Sequence, residues 1–265
     1  MEYNPLLDMP DALPKILYNA YYHGADILGE SSNPCSICKE SKHQGNGFMF
    51  YQDRWRIHFH GSDFGSCQKK VYLSKLNNLK LNNDGKYNFL MDGHMHEKTI
   101  LDYMSNAPIK YDIHPCVNGK EIIKDYDNFL LVGHPDGFIS EKIDRENLPI
   151  YIIECKAVGD TTYKQCQKNI ISDNWYGQQQ AYMAIYEDIE YCYLIVKHRA
   201  TSDILMPFKI VRDKEYIQNR LNNLTAIADL LKYPNADIMI GKEHSNPKDL
   251  ECTVCPFFNE CWGKK

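Results

Sequence analysis

Two short stretches carry residue types suited to chemistry, Gly133-His-Pro-Asp136-Gly137 and, one hairpin further on, Ile152-Ile153-Glu154-Cys155-Lys156. Side chains alternate along a strand, so Glu154 and Lys156 should project from one face and Cys155 from the other. If the strand before Glu154 pairs with it, Asp136 lies beside that glutamate at the sheet edge. Two such carboxylates suit Mg²⁺ or Mn²⁺, hard ions that take oxygen ligands, keep several waters and accept substrate phosphate in the remaining positions. A lysine two residues on can orient a water for attack on phosphorus. Its charge is left open, because neighbouring carboxylates favour the ammonium and a metal ion disfavours it. Glu-x-Lys is a common pattern, and a solvated pair at a strand end is its ordinary meaning. Here the apolar run Tyr151-Ile152-Ile153 leads straight into the acid, with Gly-x-x-Asp-Gly upstream.

Other groups fall around this pair. Gly93-His94-Met95-His96-Glu97 lies on an expected helix, where a neutral imidazole can supply a nitrogen ligand. Gln178 and Tyr182 stand four apart on another helix and hence on one face, from which an amide and a phenol can reach a phosphate or the lysine. Tyr182 fits a core position equally well. Near the C-terminus Cys252, Cys255 and Cys261 form a C-x₂-C-x₅-C run, one thiol short of the four that iron-sulfur clusters commonly use. Cys67 is the best candidate for the fourth. Zinc is the alternative occupant, since thiolates suit it too. Cys116, Cys155, Cys166 and Cys192 look solitary and are expected to be free thiols. Cys35-Ser-Ile-Cys38 has knuckle spacing, with His43 nearby and His58 and His60 on one face of an expected strand, so a small additional zinc site competes there with an ordinary turn.

The elements that must position these residues follow from periodicity. Helices are expected near 14–27, from Ser62 or Asp63 to Leu76, over 89–104, 173–186 and 214–231, and strands near 111–117, 120–125, 129–140, 149–156, 191–197 and 204–211. This order gives an α/β architecture, a mixed central sheet flanked by helices. The 265 residues divide into an N-terminal helical and cysteine-containing extension, 1–61, and one elaborated domain, 62–265.

Composition narrows the classes. A hydrophobic fraction of 43% and a charged fraction of 25% exclude disordered and fibrous chains. No apolar stretch is long enough for a membrane helix and the N-terminus lacks signal-peptide regions, so a cytoplasmic protein is expected. In that compartment thiols stay reduced, so those of the ten cysteines that cluster read as metal or cluster ligands before disulfides. The net charge of -5 argues against a protein that coats nucleic acid but allows an enzyme with a local basic groove, for which Lys69, Lys70, Lys75 and Lys80 are candidates.

Taken together, Gly93 to Glu97, Gly133 to Asp136, Glu154 to Lys156 and Gln178 to Tyr182 resemble the RecB-like branch of the PD-(D/E)xK nucleases, in order and approximate spacing. The resemblance implies a restriction-endonuclease-like core. It also implies that His96, Asp136, Glu154 and the backbone carbonyl of Cys155 hold Mg²⁺ or Mn²⁺. Lys156 would be the catalytic lysine, with Gln178 and Tyr182 contacting DNA and steadying the site. The setting of Cys67, in Ser62-Asp-Phe-Gly-Ser-Cys67-Gln-Lys-Lys, is similar to the subgroup containing the AddB-type and CRISPR-adaptation nucleases. That subgroup implies a 4Fe-4S cluster on Cys67, Cys252, Cys255 and Cys261, acting as a clamp between the N- and C-terminal parts. A DNA exonuclease working from single-stranded ends is then expected, serving recombination, repair or CRISPR adaptation with protein partners of those systems. An idle DNA-binding or assembly module is the competing reading, and either could be oligomeric.

Overall fold

The computed structural model describes residues 43–44, 48–51, 54–76, 87–106, 111–115, 122–141, 151–232, 246–253 and 255–263. The expected helix near 14–27, the Cys35 and Cys38 pair, Lys80 and Cys116 lie outside these. The fold is mixed α/β, as the order of elements implies, and among the described residues its strands form two five-stranded sheets, where one central sheet was expected. The strands are β1 (His43–Gln44), β2 (Phe48–Tyr51), β3 (Arg54–His60), β4 (Tyr111–Pro115), β5 (Ile122–Tyr126), β6 (Phe129–Gly133), β7 (Gly137–Glu141), β8 (Tyr151–Val158), β9 (Tyr191–His198) and β10 (Phe208–Val211). The helices are α1 (Gly61–Phe64), α2 (Gln68–Leu76), α3 (Tyr87–Ser105), α4 (Asp160–Cys166), α5 (Asp173–Ile185), α6 (Lys214–Lys232), α7 (Leu250–Thr253) and α8 (Phe258–Trp262).

One sheet runs β1-β2-β3-β6-β5 and the other β10-β9-β8-β7-β4. The chain passes between them at His134-Pro135-Asp136. Proline has no N–H for the ladder and is tolerated only where a strand ends or bulges. The apolar run expected as one strand over 129–140 is therefore two, β6 in the first sheet and β7 in the second. Asp136 stands at that crossing. In the second sheet β7 pairs antiparallel with β8, Gly137 facing Ile153, and β8 pairs parallel with β9, Glu154 facing Leu194. Strands inside a parallel pair are covered on both faces, which explains the unbroken apolar stretch of β9. Its residues Cys192, Leu194 and Val196 enter a core with α5 and α6, while Tyr193 and Ile195 pack with Ile100, Leu101 and Met104 of α3.

Strand β3 lies on the extension side of the expected division at residues 61 and 62, yet it pairs parallel with β6 and carries Ile57 and Phe59 into the main core. The helix expected from Ser62 to Leu76 is interrupted between α1 and α2. Close packing explains the break. Gly65 is pressed against α5, where an added Cβ would meet the Asn174 carbonyl oxygen at 2.6 Å, and a Cβ on Gly177 would come within 2.2 Å of the Gly65 Cα. Gly177→Ala should therefore force these backbones apart at a cost of about 3 kcal/mol. For a chain of this size that is a fall in Tm of roughly 6–12 °C. Gly159→Ala is the control, since nothing lies within 4 Å of its added Cβ. Equal melting of the two variants would refute the interlock.

Candidate active site

Strand pairing assembles the acids. With Gly137 opposite Ile153, the Asp136 carboxylate reaches the backbone of β8, where Cys155 N–H donates to Oδ2 at 2.6 Å. Glu154 is only 2% exposed, and Lys156 Nζ donates to its Oε1 at 2.5 Å. Ile152 and Val158, on the same strand face as these two, enter the core that α5 also lines, whereas Cys155 lies in the core under α3. The alternation expected from the sequence thus holds, with the acid and the lysine together and the cysteine opposed.

Helix α5 delivers the next layer. Ser172 caps it, accepting from Trp175 N–H at 3.2 Å. Tyr182 Oη lies 3.0 Å from both Glu154 Oε2 and the His134 carbonyl oxygen, so its single proton is shared between two acceptors, and Gln178 Nε2 donates to it at 2.7 Å. The ring fits because its neighbours are glycines. A Cβ at Gly133 would come 3.0 Å from Tyr182 Cδ1, and one at Gly61 3.2 Å from Cε1. Tyr182 is a core residue at 1% exposure and also hydrogen-bonds to Glu154, so a core position does not prevent a polar contact there. Gln180 has a different task. Its Nε2 donates to the Val211 carbonyl at 2.8 Å and its Oε1 accepts from Asp213 N–H at 2.9 Å, tying α5 to the start of α6.

The electrostatics are those of a crowded acidic site. Burial, then the charges of Glu154 and Glu97, push the Asp136 carboxyl well above the usual carboxylate range, against the opposing pull of Lys156 and the Cys155 N–H. Burial disfavours the Lys156 ammonium, yet Glu154 and Asp136 outweigh it and hold this lysine above its ordinary value. These carboxylates thus favour the ammonium form. Burial and the same two carboxylates push the Tyr182 phenol well up, so it stays a hydrogen-bond donor. Burial likewise keeps the Cys155 thiol protonated. One ammonium facing three acids leaves negative charge for a cation to offset, and oxygen donors suit Mg²⁺ or Mn²⁺. Magnesium is often bound by one or two carboxylates plus substrate phosphate, so Asp136 and Glu154 fit such an ion.

His96 is placed differently from these residues. Its Nδ1 lies 3.0 Å from Nζ of Lys197, a β9 lysine only 4% exposed. Among the described residues no group of three or more His, Cys, Asp or Glu side chains is arranged to hold a metal ion. Sequence reasoning passed over both Lys197 and the influence of Glu97 on Asp136. A lysine closing the apolar run of β9 was the available signal for the first.

The cysteines meet elsewhere. Cys67 immediately precedes α2, its carbonyl accepting from Val71 N–H at 3.0 Å. Cys67, Cys252, Cys255 and Cys261 line one cavity of about 30 Å³ together with Lys70, Glu251, Phe258 and Trp262. Burial raises the Cys252 thiol although Trp262 hydrogen-bonds to it. Their sulfur chemistry and common cavity fit a thiolate-held metal group. Cys155, Cys166 and Cys192 are free and buried in the apolar cores. The rings of His58 and His60 lie 5.0 Å apart, and His60 lies 5.8 Å from His134.

No family model matches the chain, and no curated protein does. Among solved structures it is similar to the alkaline exonuclease LHK-Exo of Laribacter hongkongensis, at 13% identity over 66% of this chain and 88% of that one, with a TM-score of 0.45. It is also similar to the structure of SSO0001, at 15% identity over 97% of this chain and 98% of that one, with a TM-score of 0.48. LHK-Exo in complex with dAMP is matched at 17% identity over 42% of this chain and 57% of that one, with a TM-score of 0.34.

Proposed function

We propose that this protein is a divalent-metal-dependent deoxyribonuclease that hydrolyses phosphodiester bonds and works as an exonuclease from single-stranded ends. The observation that carries the reading is the meeting of Lys156 and Tyr182 on the two oxygens of buried Glu154, with Asp136, just before β7, held by the N–H of Cys155, the residue after that glutamate. Substrate and direction of attack come from the resemblance to RecB-like nucleases. Asp136, Glu154 and the Cys155 carbonyl would hold Mg²⁺ or Mn²⁺, with His96 joining them once released from Lys197. Such an ion supplies charge stabilisation at the phosphoryl oxygens and lowers the pKa of water.

The chain's own residues do the rest. Tyr182 fixes one oxygen of Glu154 and Lys156 the other, so this carboxylate cannot rotate away. The Cys155 N–H sets the Asp136 carboxylate in the same way. The Lys156 ammonium orients water towards phosphorus and meets charge on the nonbridging oxygens. As the water oxygen bonds to phosphorus it gives up one proton to solvent, the bond to the leaving sugar oxygen breaks, and that oxygen takes up a proton from solvent. The four-cysteine cavity is read as the seat of a 4Fe-4S cluster, a reading supported by four thiols that line one cavity. Among the described residues no helix is long and apolar enough to cross a membrane.

Chelation tests the reading. EDTA should suppress cleavage of labelled single-stranded DNA, and Mn²⁺ or Mg²⁺ should restore it while the visible absorption of the cysteine-held group persists. Ca²⁺, larger and more flexible in coordination, should restore little. Equal rescue by Ca²⁺ would contradict the mechanism, and no cleavage under any of these conditions would favour the idle-module reading.

A further inference from the structure

Asn174 stands one turn before Gln178 and two before Tyr182, so three polar side chains share a stripe of α5. The helix already has its cap in Ser172, and the Asn174 amide goes to another element. Its Nδ2 donates to Ser66 Oγ at 2.8 Å and lies 3.3 Å from the Ser62 carbonyl oxygen, which Ser66 Oγ also reaches at 2.9 Å. Ser66 is 8% exposed and directly precedes Cys67. Beside this bond the backbones of Gly65 and Gly177 touch with no room for a Cβ. At the other end of the stripe, Gln178 donates to Tyr182, which reaches Glu154.

We propose that Asn174 is a positioning residue that ties the Cys67 segment to α5, so that the seating of Glu154 depends on the four-cysteine cavity being held in shape. This deepens the nuclease reading and rests on it for its kinetic test. A displaced Cys67 pulls Ser66, and Ser66 pulls α5 through Asn174 and the glycine contact. Close-packed backbones transmit such a displacement because they cannot absorb it locally. Tyr182 then loses its distance to Glu154. The four cysteines thereby control the reaction without touching substrate.

The experiment compares full-length wild type with Asn174→Ala, Ser66→Ala, the Ser66→Ala/Asn174→Ala double variant and Cys67→Ser. It reads kcat and KM on labelled single-stranded DNA with Mn²⁺, metal content and visible absorption, and hydrogen exchange of the amides at 177–183. Asn174→Ala should lower kcat roughly fivefold, the rate equivalent of about 1 kcal/mol for a neutral hydrogen bond, at unchanged KM. It should hasten exchange at 177–183 and leave iron content and absorption as in the wild type. The double variant should lose clearly less than the product of the two single losses, because either substitution alone already breaks the bond between Asn174 and Ser66. Cys67→Ser should hasten exchange over the same amides. Wild-type kcat with unchanged exchange in Asn174→Ala, or losses that multiply in the double variant, would overturn the proposal. Should the wild type not cleave at all, the nuclease reading falls, and the exchange data still decide this one: faster exchange with an intact cavity supports it and unchanged exchange refutes it. If Cys67→Ser does not fold, the Ser66 and Asn174 pair carries the test alone.

Discussion

Lys156→Ala is expected to lower the turnover of single-stranded DNA by roughly 10²–10⁴-fold, the range found when a group that handles the proton or the attacking water is removed. The loss should appear in kcat under single-turnover conditions, with DNA affinity by fluorescence anisotropy changed only a few-fold. The reason is positional. Lys156 Nζ is the ammonium that meets Glu154 Oε1, and burial of that glutamate at 2% exposure leaves little water to take its place. Lys156→Arg should not restore the rate, since a planar guanidinium cannot occupy the place of a compact ammonium at 2.5 Å. Wild-type turnover in Lys156→Ala would sink the site assignment. Weakened binding with unchanged cleavage of bound DNA would reduce Lys156 to a phosphate contact.

The second large effect is expected from Cys67→Ser. Cys67 lies between α1 and α2, and its cavity partners lie at the far end of the chain, in and around α7 and α8. A cross-link closing so long a loop removes unfolded-state entropy worth about 5 kcal/mol in the chain-entropy model. Domains of this kind are commonly stable by only about 5–15 kcal/mol, so the variant should melt far below the wild type. Its visible absorption should bleach. Cys192→Ser, whose thiol lies in the core near the Gln179 carbonyl at 3.7 Å, should keep its colour. Full absorption in Cys67→Ser would move the fourth ligand elsewhere, with Cys35 and Cys38 the first places to look. Zinc in place of iron would instead leave the wild type colourless.

The parts of the site legible in the sequence are those fixed by short periods. Glu154 and Lys156 are two apart on a strand, and Gln178 and Tyr182 four apart on a helix, so local geometry alone places each pair on one face. Their meeting is tertiary, yet the order of elements was enough to suggest it. Other features depend on contacts between segments remote in sequence. The apolar run over 129–140 reads as one strand until the two sheets show that Pro135 is where the chain crosses between them. Strand β3 has its parallel partner in β6, some way along the chain, and the separate helix α4 has no strong periodic signal. Gly65 and Gly177 look like ordinary helix weaknesses and are in fact the point where two backbones touch. Lys197 was passed over because a charged residue at the end of an apolar strand is ordinarily solvated, whereas this one is 4% exposed against His96.

Single-turnover cleavage of 5′-labelled single-stranded DNA with Mn²⁺, run side by side on wild type and Asp136→Asn, tests the central claim most directly. Asparagine keeps the shape and an oxygen for the Cys155 N–H but removes the charge that Asp136 shares with Glu154 and Glu97. The wild type should shorten the labelled strand, and Asp136→Asn should leave it intact while melting at or above the wild-type temperature, because a buried like charge has been removed. Equal cleavage by the two proteins, or none by the wild type with its cysteine cavity loaded, would contradict the account.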